Sequence, residues 1–183
     1  ALSDKHPSDL TYRVMLGNWL MQHDRSREAF KIFSAAQRED PDNTAVESSL
    51  YDYYKATGQD SVAQSLMERM LISPKTDTKS RISILQQVIR ENEEHRDDST
   101  KIISLLHRMM QANPKSSEIA EVNAAYATLK KLPQDTINRA LLHVLHLAPD
   151  NAGARLQLIQ AEWPTKNWDR IIELASPALQ YNP

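Results

Sequence analysis

Apolar residues recur at three- and four-residue steps along this chain, in pairs of segments separated by short polar breaks. Leu10, Val14, Leu16 and Leu20 form the first segment. His23-Asp24-Arg25-Ser26 interrupts it, and Ala29, Ile32, Phe33 and Ala36 resume the spacing. The pattern returns with Leu50, Tyr51 and Tyr54, a break at Thr57-Gly58-Gln59-Asp60, then Val62, Ala63, Leu66, Met67 and Met70. A third pair runs through Ile82, Leu85, Val88 and Ile89 and then Ile102, Leu105, Leu106 and Met109. Ile119, Val122, Ala125, Tyr126 and Leu129 precede Leu132-Pro133 and then Ile137, Leu141, Val144 and Leu145. The last pair has Leu156, Leu158 and Ile159, a break at Pro164-Thr165-Lys166-Asn167, and Ile171, Ile172, Leu174 and Leu179. This spacing puts one apolar stripe on an α-helix, so each pair predicts two helices joined by a short turn.

Prolines set the period. Pro7, Pro41, Pro74, Pro114, Pro149 and Pro183 are 34, 33, 40, 35 and 34 residues apart. A proline pushes the preceding residue out of the α region, and a following Asp or Asn can cap the next helix. The expected repeats are 8–41, 42–74, 75–114, 115–149 and 150–183, with 1–7 as the tail of a preceding one. The third is the irregular one, with helices over about 78–93 and 99–111; its extra turn belongs to the first helix or to the acidic link 91–98. Gly58 suits a left-handed helix-closing residue, and Asp60 or Ser61 the next cap. Pro177, inside the last helical pattern, predicts a kink because it removes a donor and crowds the carbonyl of Glu173.

The residues Leu16-Gly17, Leu20, Ala29-x3-Phe33, Ala36 and Pro41 resemble the tetratricopeptide repeat. A small or apolar residue opens the second helix twelve positions before the proline at Ala29, Ile102, Ile137 and Ile171, and eleven before it at Ala63. The early Trp of the family is replaced by Arg13, Glu121 and Arg155, and Gly17 has no glycine counterpart in the last two repeats. The resemblance implies an all-α fold, an α–α right-handed superhelix (TPR solenoid) of about five helix-turn-helix repeats held by neighbour-to-neighbour burial. HEAT-type repeats are longer, and pentatricopeptide repeats, which bind RNA, would want more positive charge. Since the repeats stop at Pro183 with no polar capping helix, further repeats are expected on at least one side. The stretches 9–17, 52–60 and 178–183 look like long bacterial TPR proteins, some of them exported lipoproteins. That likeness leans towards the periplasmic side of a cell envelope, with the cytoplasm as the alternative.

Composition narrows the chemistry. Twenty-two Lys and Arg against 24 Asp and Glu give a net charge of −2, which argues against nucleic acid as a partner because phosphate contacts need excess cations. No Cys is present, so disulfides and thiolate ligands are excluded. No apolar run approaches the roughly 18–20 residues that cross a bilayer, so no membrane insertion by this segment is expected. Three scattered glycines (Gly17, Gly58, Gly153) make no phosphate-cradling loop. His143 and His146 stand three apart on one helix but have no third ligand or following Glu. Glu91, Glu93, Glu94, Asp97 and Asp98 lack the pattern of a calcium loop and read as a solvated link. Met67, Met70, Met109 and Met110 sit at core spacing, and Trp168 reads as an aromatic covering an inter-helix turn. Neither metal nor cofactor is expected, and no nucleophile–base pairing points to an enzyme.

In this resemblance the first helix of each repeat faces the groove. Asn18 and Asp52, and Tyr126 and Gln160, are each 34 residues apart, so they share one groove-facing place. One turn earlier lie Val14, Ser48, Val122 and Leu156; further along lie Met21, Lys55, Leu129 or Lys130, and Trp163. The expected partner-binding residues are therefore Val14, Asn18, Met21, Ser48, Asp52, Lys55, Val122, Tyr126, Leu156, Gln160 and Trp163. Their mix of amides, aromatics and aliphatics suits a peptide or protein segment rather than phosphate. The carboxylate clamp that grips chaperone tails is not supported: its Lys place holds Val14, and Ser48-Ser49 stand in the next repeat. The function expected is a non-catalytic protein–protein interaction module. The alternative is a spacer or assembly scaffold acting through self-association or intramolecular docking.

Overall fold

The structure, a computed structural model, describes residues 9–96 and 98–181. The expected tail 1–7, Pro7 and Pro183 lie outside the described residues. Helices α1 (Leu10–Gln22), α2 (Ser26–Glu39), α3 (Thr44–Ala56), α4 (Asp60–Ile72), α5 (Thr78–His95), α6 (Ser99–Ala112), α7 (Ser117–Leu129), α8 (Gln134–Leu147), α9 (Ala152–Glu162), α10 (Trp168–Ala175) and α11 (Ala178–Tyr181) follow one another. There is no strand among the described residues. The fold is all-α and built of repeated helix pairs. The chain divides into two compact units, Ala1–Leu85 and Gln86–Pro183.

The caps explain the period. Two or three residues after each proline, a side chain accepts a backbone N–H of the next helix: Asn43 from Val46, Asp77 from Ser80, Ser116 from Ile119 and Asn151 from Ala154. Asp9 does the same for Thr11. Each bond satisfies one of the donors that a helix start leaves unpaired. Neither Asp60 nor Ser61 caps α4; its N-cap is Gln59, with no side-chain hydrogen bond, and Asp60 is already helical. The turns inside the pairs have their own signature. Asp24, Gly58, Arg96, Lys131 and Lys166 all adopt positive φ, between 50° and 72°, reversing the chain in the left-handed region. Only one of these is a glycine.

The extra length of the third pair lies in its first helix: α5 has 18 residues where α1, α3 and α7 each have 13. Near the C-terminus the helix breaks outright at Ser176–Pro177, between α10 and α11, where a bend within one helix was expected.

In the first unit Val14, Leu20, Ala29, Phe33, Ala36, Val46, Leu50, Leu66 and Met70 form one core cluster. In the second, Ala120, Ala124, Ala140, Leu141, Val144, Ala154, Leu158 and Leu174 form another. Met67, Met70 and Met109 are buried as their spacing predicts, while Met110, expected with them, is only half-buried.

The place of the early Trp carries a charge in each pair: Arg13, Glu47, Arg81, Glu121 and Arg155. Each is tied to the end of a second helix or to the loop after one. Arg13 pairs with Glu39 and Glu47 with Arg69. Arg81 donates to the carbonyls of Ser73 (2.6 Å) and Thr76 (2.7 Å), and Glu121 accepts from Asn151 (2.9 Å). Arg155 donates to the carbonyls of Leu174 (2.9 Å) and Pro149. Carbonyls at a helix C-terminus lack intrahelical partners and attract cations, so Arg81 and Arg155 complete helix ends that a tryptophan could only cover.

Candidate functional site

The first helices α1 and α3 lie side by side and begin 34 residues apart. On them Asn18, Ser48, Asp52 and Lys55 are exposed and Met21 is half-buried. Partial desolvation raises the Asp52 carboxyl above the usual aspartate range. The adjacent cation is committed elsewhere, since Lys55 pairs with Asp60 at 3.5 Å. Val14 is different. Its side chain is buried in the core of the first unit, which corrects its placement among residues open to a partner. It stands one turn, four residues, before Asn18, and there it belongs to the cluster that holds Phe33 and Leu50.

In the second unit Leu156, Gln160 and Trp163 are exposed and follow the i, i+4, i+7 spacing of one helix face, and Val122 on α7 is half-buried. Trp163 starts a short 3-10 turn rather than ending α9, and its ring meets Trp168 edge to face at 5.6 Å. Both indoles stay more than half exposed.

Tyr126 is the second correction. It is 3% exposed, and its hydroxyl donates to Glu93 (3.2 Å). Lys130 also donates to both Glu93 oxygens at 2.9 Å and lies 5.9 Å from the Tyr126 ring centre. The added turns of α5 deliver Glu93 to this place. Spacing alone could not find the triad, because the 40-residue interval conceals which residue comes opposite Tyr126. Burial and the neighbouring carboxylate push the Tyr126 phenol up to about 12. The hydrogen bond from Lys130, aided by Tyr126, holds the Glu93 carboxyl below its ordinary value. A carboxylate depressed by folding stabilises above its unfolded titration range, near 4.3, and loses that contribution as pH falls through its folded value. Glu93→Gln should therefore lower the melting temperature at neutral pH, with the gap to wild type closing below the glutamate range. A gap independent of pH would refute this role.

His143 and His146 are both exposed, and among the described residues no group of three or more His, Asp or Glu is placed to hold a metal. No helix among them is long and apolar enough to cross a membrane.

No family model and no curated protein matches the sequence. Solved structures do. A structure of Pseudomonas aeruginosa PilF matches over 95% of this chain and 77% of its own, at 14% identity and a TM-score of 0.49. MamA matches over 90% and 93%, at 16% identity and a TM-score of 0.48. YrrB, described as a TPR protein with an unusual peptide-binding site, matches over 100% and 91%, at 14% identity and a TM-score of 0.49. In fold this chain resembles tetratricopeptide repeat proteins. At these identities the likeness concerns the fold. The helix pairs, the 34-residue offset of α1 and α3 and the recurring caps are features the TPR-like chain has in its own right.

Proposed function

We propose that the chain is a non-catalytic protein-interaction module of five helix-pair repeats, bounded after Pro41, Pro74, Pro114 and Pro149. It holds a peptide or protein segment against the exposed faces of its first helices. Asn18, Met21, Ser48, Asp52 and Lys55 form the contact row of the first unit; Val122, Leu156, Gln160 and Trp163 form that of the second. The observation that carries the reading is the row on α1 and α3. Polar residues 34 apart stand exposed on adjacent helices, and among them Asp52 keeps a partly desolvated carboxyl. A desolvated polar group is worth most when a partner completes its hydrogen bonds, and a row one helix spacing wide lets successive side chains of one segment engage both helices.

Peptides selected from a displayed random library on the wild-type chain test this. The double variant Asn18→Ala, Asp52→Asn should bind them at least about tenfold more weakly, the loss expected of about 1.4 kcal/mol of contact energy. Both residues are exposed, so helicity should be unchanged. Undiminished binding would remove the first-unit row from the site.

A further inference from the structure

Two places at the turn inside a helix pair face solvent by position. In the second pair they hold Lys55, twelve residues after the N-cap Asn43, and Asp60, one residue after the N-cap Gln59. The two side chains meet across the turn at 3.5 Å and are 46% and 75% exposed. Further helices follow this pair in the chain, so the places are open without being at an end. Thr128 and Gln134, counted alike from Ser116 and Pro133 in the fourth pair, are exposed too. In the fifth pair the same counts from Asn151 and Asn167 reach Trp163 and Trp168. An aromatic pair therefore stands where the second pair has an ion pair. Its rings are set at 89°, and the two residues are 59% and 52% exposed.

The corner between the indoles is pre-set and short of free polar groups. Pro164 fixes one φ of the turn, and Lys166, at φ 56°, closes it by donating its N–H to the Trp163 carbonyl (3.3 Å). The polar neighbours are committed. The Thr165 hydroxyl donates to the Glu162 carbonyl (2.7 Å), the Asn167 side chain accepts from the Arg170 N–H (3.2 Å), and Arg170 pairs with Glu173 (2.6 Å). Charges around the corner balance, Glu162 and Asp169 against Lys166 and Arg170. Among the described residues neither indole N–H has a hydrogen-bond partner, and neither does the Gln160 amide. The complement of such a site is an uncharged segment that brings apolar rings and free carbonyls. Polyproline II matches, since it has no internal hydrogen bonds and each proline carries a C=O but no N–H. A sugar, dense in hydroxyls that each need a partner, finds few here.

We infer that the second-unit row holds a proline-rich segment in the polyproline II conformation, one proline seated between Trp163 and Trp168 and another, three residues away, on Leu156. Trp163 keeps helical backbone (φ −57°, ψ −43°), so seven residues separate it from Leu156 by about 10 Å along the helix. Polyproline II returns to the same side every three residues, an advance of about 9 Å. Gln160 lies between the two seats, where its amide reaches the intervening carbonyls. Aromatic-lined sites take such segments because their extended form costs little to order. The inference rests on the peptide-binding reading above and adds the chemistry of the partner.

Titration of the full chain with end-capped decaproline tests it, followed by the indole N–H signals of the three tryptophans in NMR spectra. The signals of Trp163 and Trp168 should move and that of Trp19 should not, while a Gly-Ser decamer should move none. Trp168→Ala alters an exposed residue, so helicity by circular dichroism should be unchanged, yet decaproline should bind at least about fivefold more weakly. Decaproline that moves neither signal, that moves Trp19 equally, or that binds Trp168→Ala as tightly as wild type would each overturn the inference. Maltohexaose moving the pair where decaproline does not would show a sugar platform instead. The library peptides separate this from the broader reading: if they bind wild type and Trp168→Ala alike while decaproline stays silent, the proline site falls and the peptide-binding module stands.

Discussion

Replacing Gly17 by alanine should destabilise the first unit by about 1–3 kcal/mol, although alanine is the better helix former by about 1 kcal/mol. Gly17 lies within α1 with ordinary helical backbone, so it is not needed for its conformational freedom. It is needed for its missing side chain. A Cβ there would fall 2.2 Å from Cε1 of Phe33, 2.6 Å from Cζ and 2.9 Å from Cδ1. Phe33 is fully buried and packed on α1 and its neighbours, so its ring has no room to withdraw. Packed interiors answer such an intrusion with off-rotamer side chains and backbone shifts. The overlap with Phe33 fixes the compensating change. Phe33→Leu alone should cost stability by leaving space, and in the Gly17→Ala background it should cost less, because the methyl occupies part of what the ring vacates. Urea unfolding followed by the fluorescence of Trp19, the sole tryptophan of the first unit, gives all four corners of the cycle. Additive losses, or a Gly17→Ala variant stabler than wild type, would show that α1 and α2 are not in the close crossing described.

The pairing of α1 with α2 was readable before any coordinates, and it marks how far one-dimensional pattern reaches. Apolar spacing on either side of His23-Asp24-Arg25-Ser26 predicts the two helices, and Leu16-Gly17 with Ala29-x3-Phe33 carries the resemblance, but that Gly17 meets Phe33 is visible only in the structure. Proline spacing located the caps, since Asn43, Ser116 and Asn151 follow their prolines at one interval and a capping side chain acts within three residues. What escaped depended on residues distant in sequence. Val14 and Tyr126 share a helix face with exposed neighbours, but a face is buried or open according to the helix beside it. For Tyr126 that neighbour is the lengthened α5 with its Glu93. Four of the five left-handed turn residues are Asp, Arg or Lys, which tolerate that region at a modest cost and leave no glycine to read. Along the candidate binding faces Asn18, Ser48, Asp52 and Gln160 stand exposed on their helices, whereas Trp163 lies just past α9 in a 3-10 turn. The charged place of Arg13, Glu121 and Arg155 read only as a departure from the resembled pattern, because the carbonyls and side chains that satisfy it come from helix ends up to 30 residues away.

Arg69→Ala should cost about 2–4 kcal/mol, while adding Glu47→Gln to it should restore a large part of the loss. Glu47 occupies that charged place in the second pair, and its side chain is only 4% exposed. Arg69 reaches it from the last turn of α4, with Nη2 2.6 Å and Nε 2.9 Å from the same carboxylate oxygen. Charge-assisted bonds of this geometry are the stronger kind. The reason for the size of the effect is what remains after the guanidinium is gone: a carboxylate removed from water with no cation beside it. Breaking a buried pair from one side costs about 3–5 kcal/mol, and the half-exposed guanidinium of Arg69 places this case towards the lower end. Glu47→Gln alone keeps a hydrogen-bond acceptor for Arg69, whose charge stays in contact with solvent, so it should cost much less. In the double variant no ion is stranded, since a buried amide is less costly than a buried unpaired carboxylate. The ordering expected from urea unfolding is therefore Glu47→Gln mildest, the double variant intermediate and Arg69→Ala worst. If Arg69→Ala and the double variant lose equal stability, the arginine acts by packing its stem against α3, and the charge of Glu47 is not what it serves.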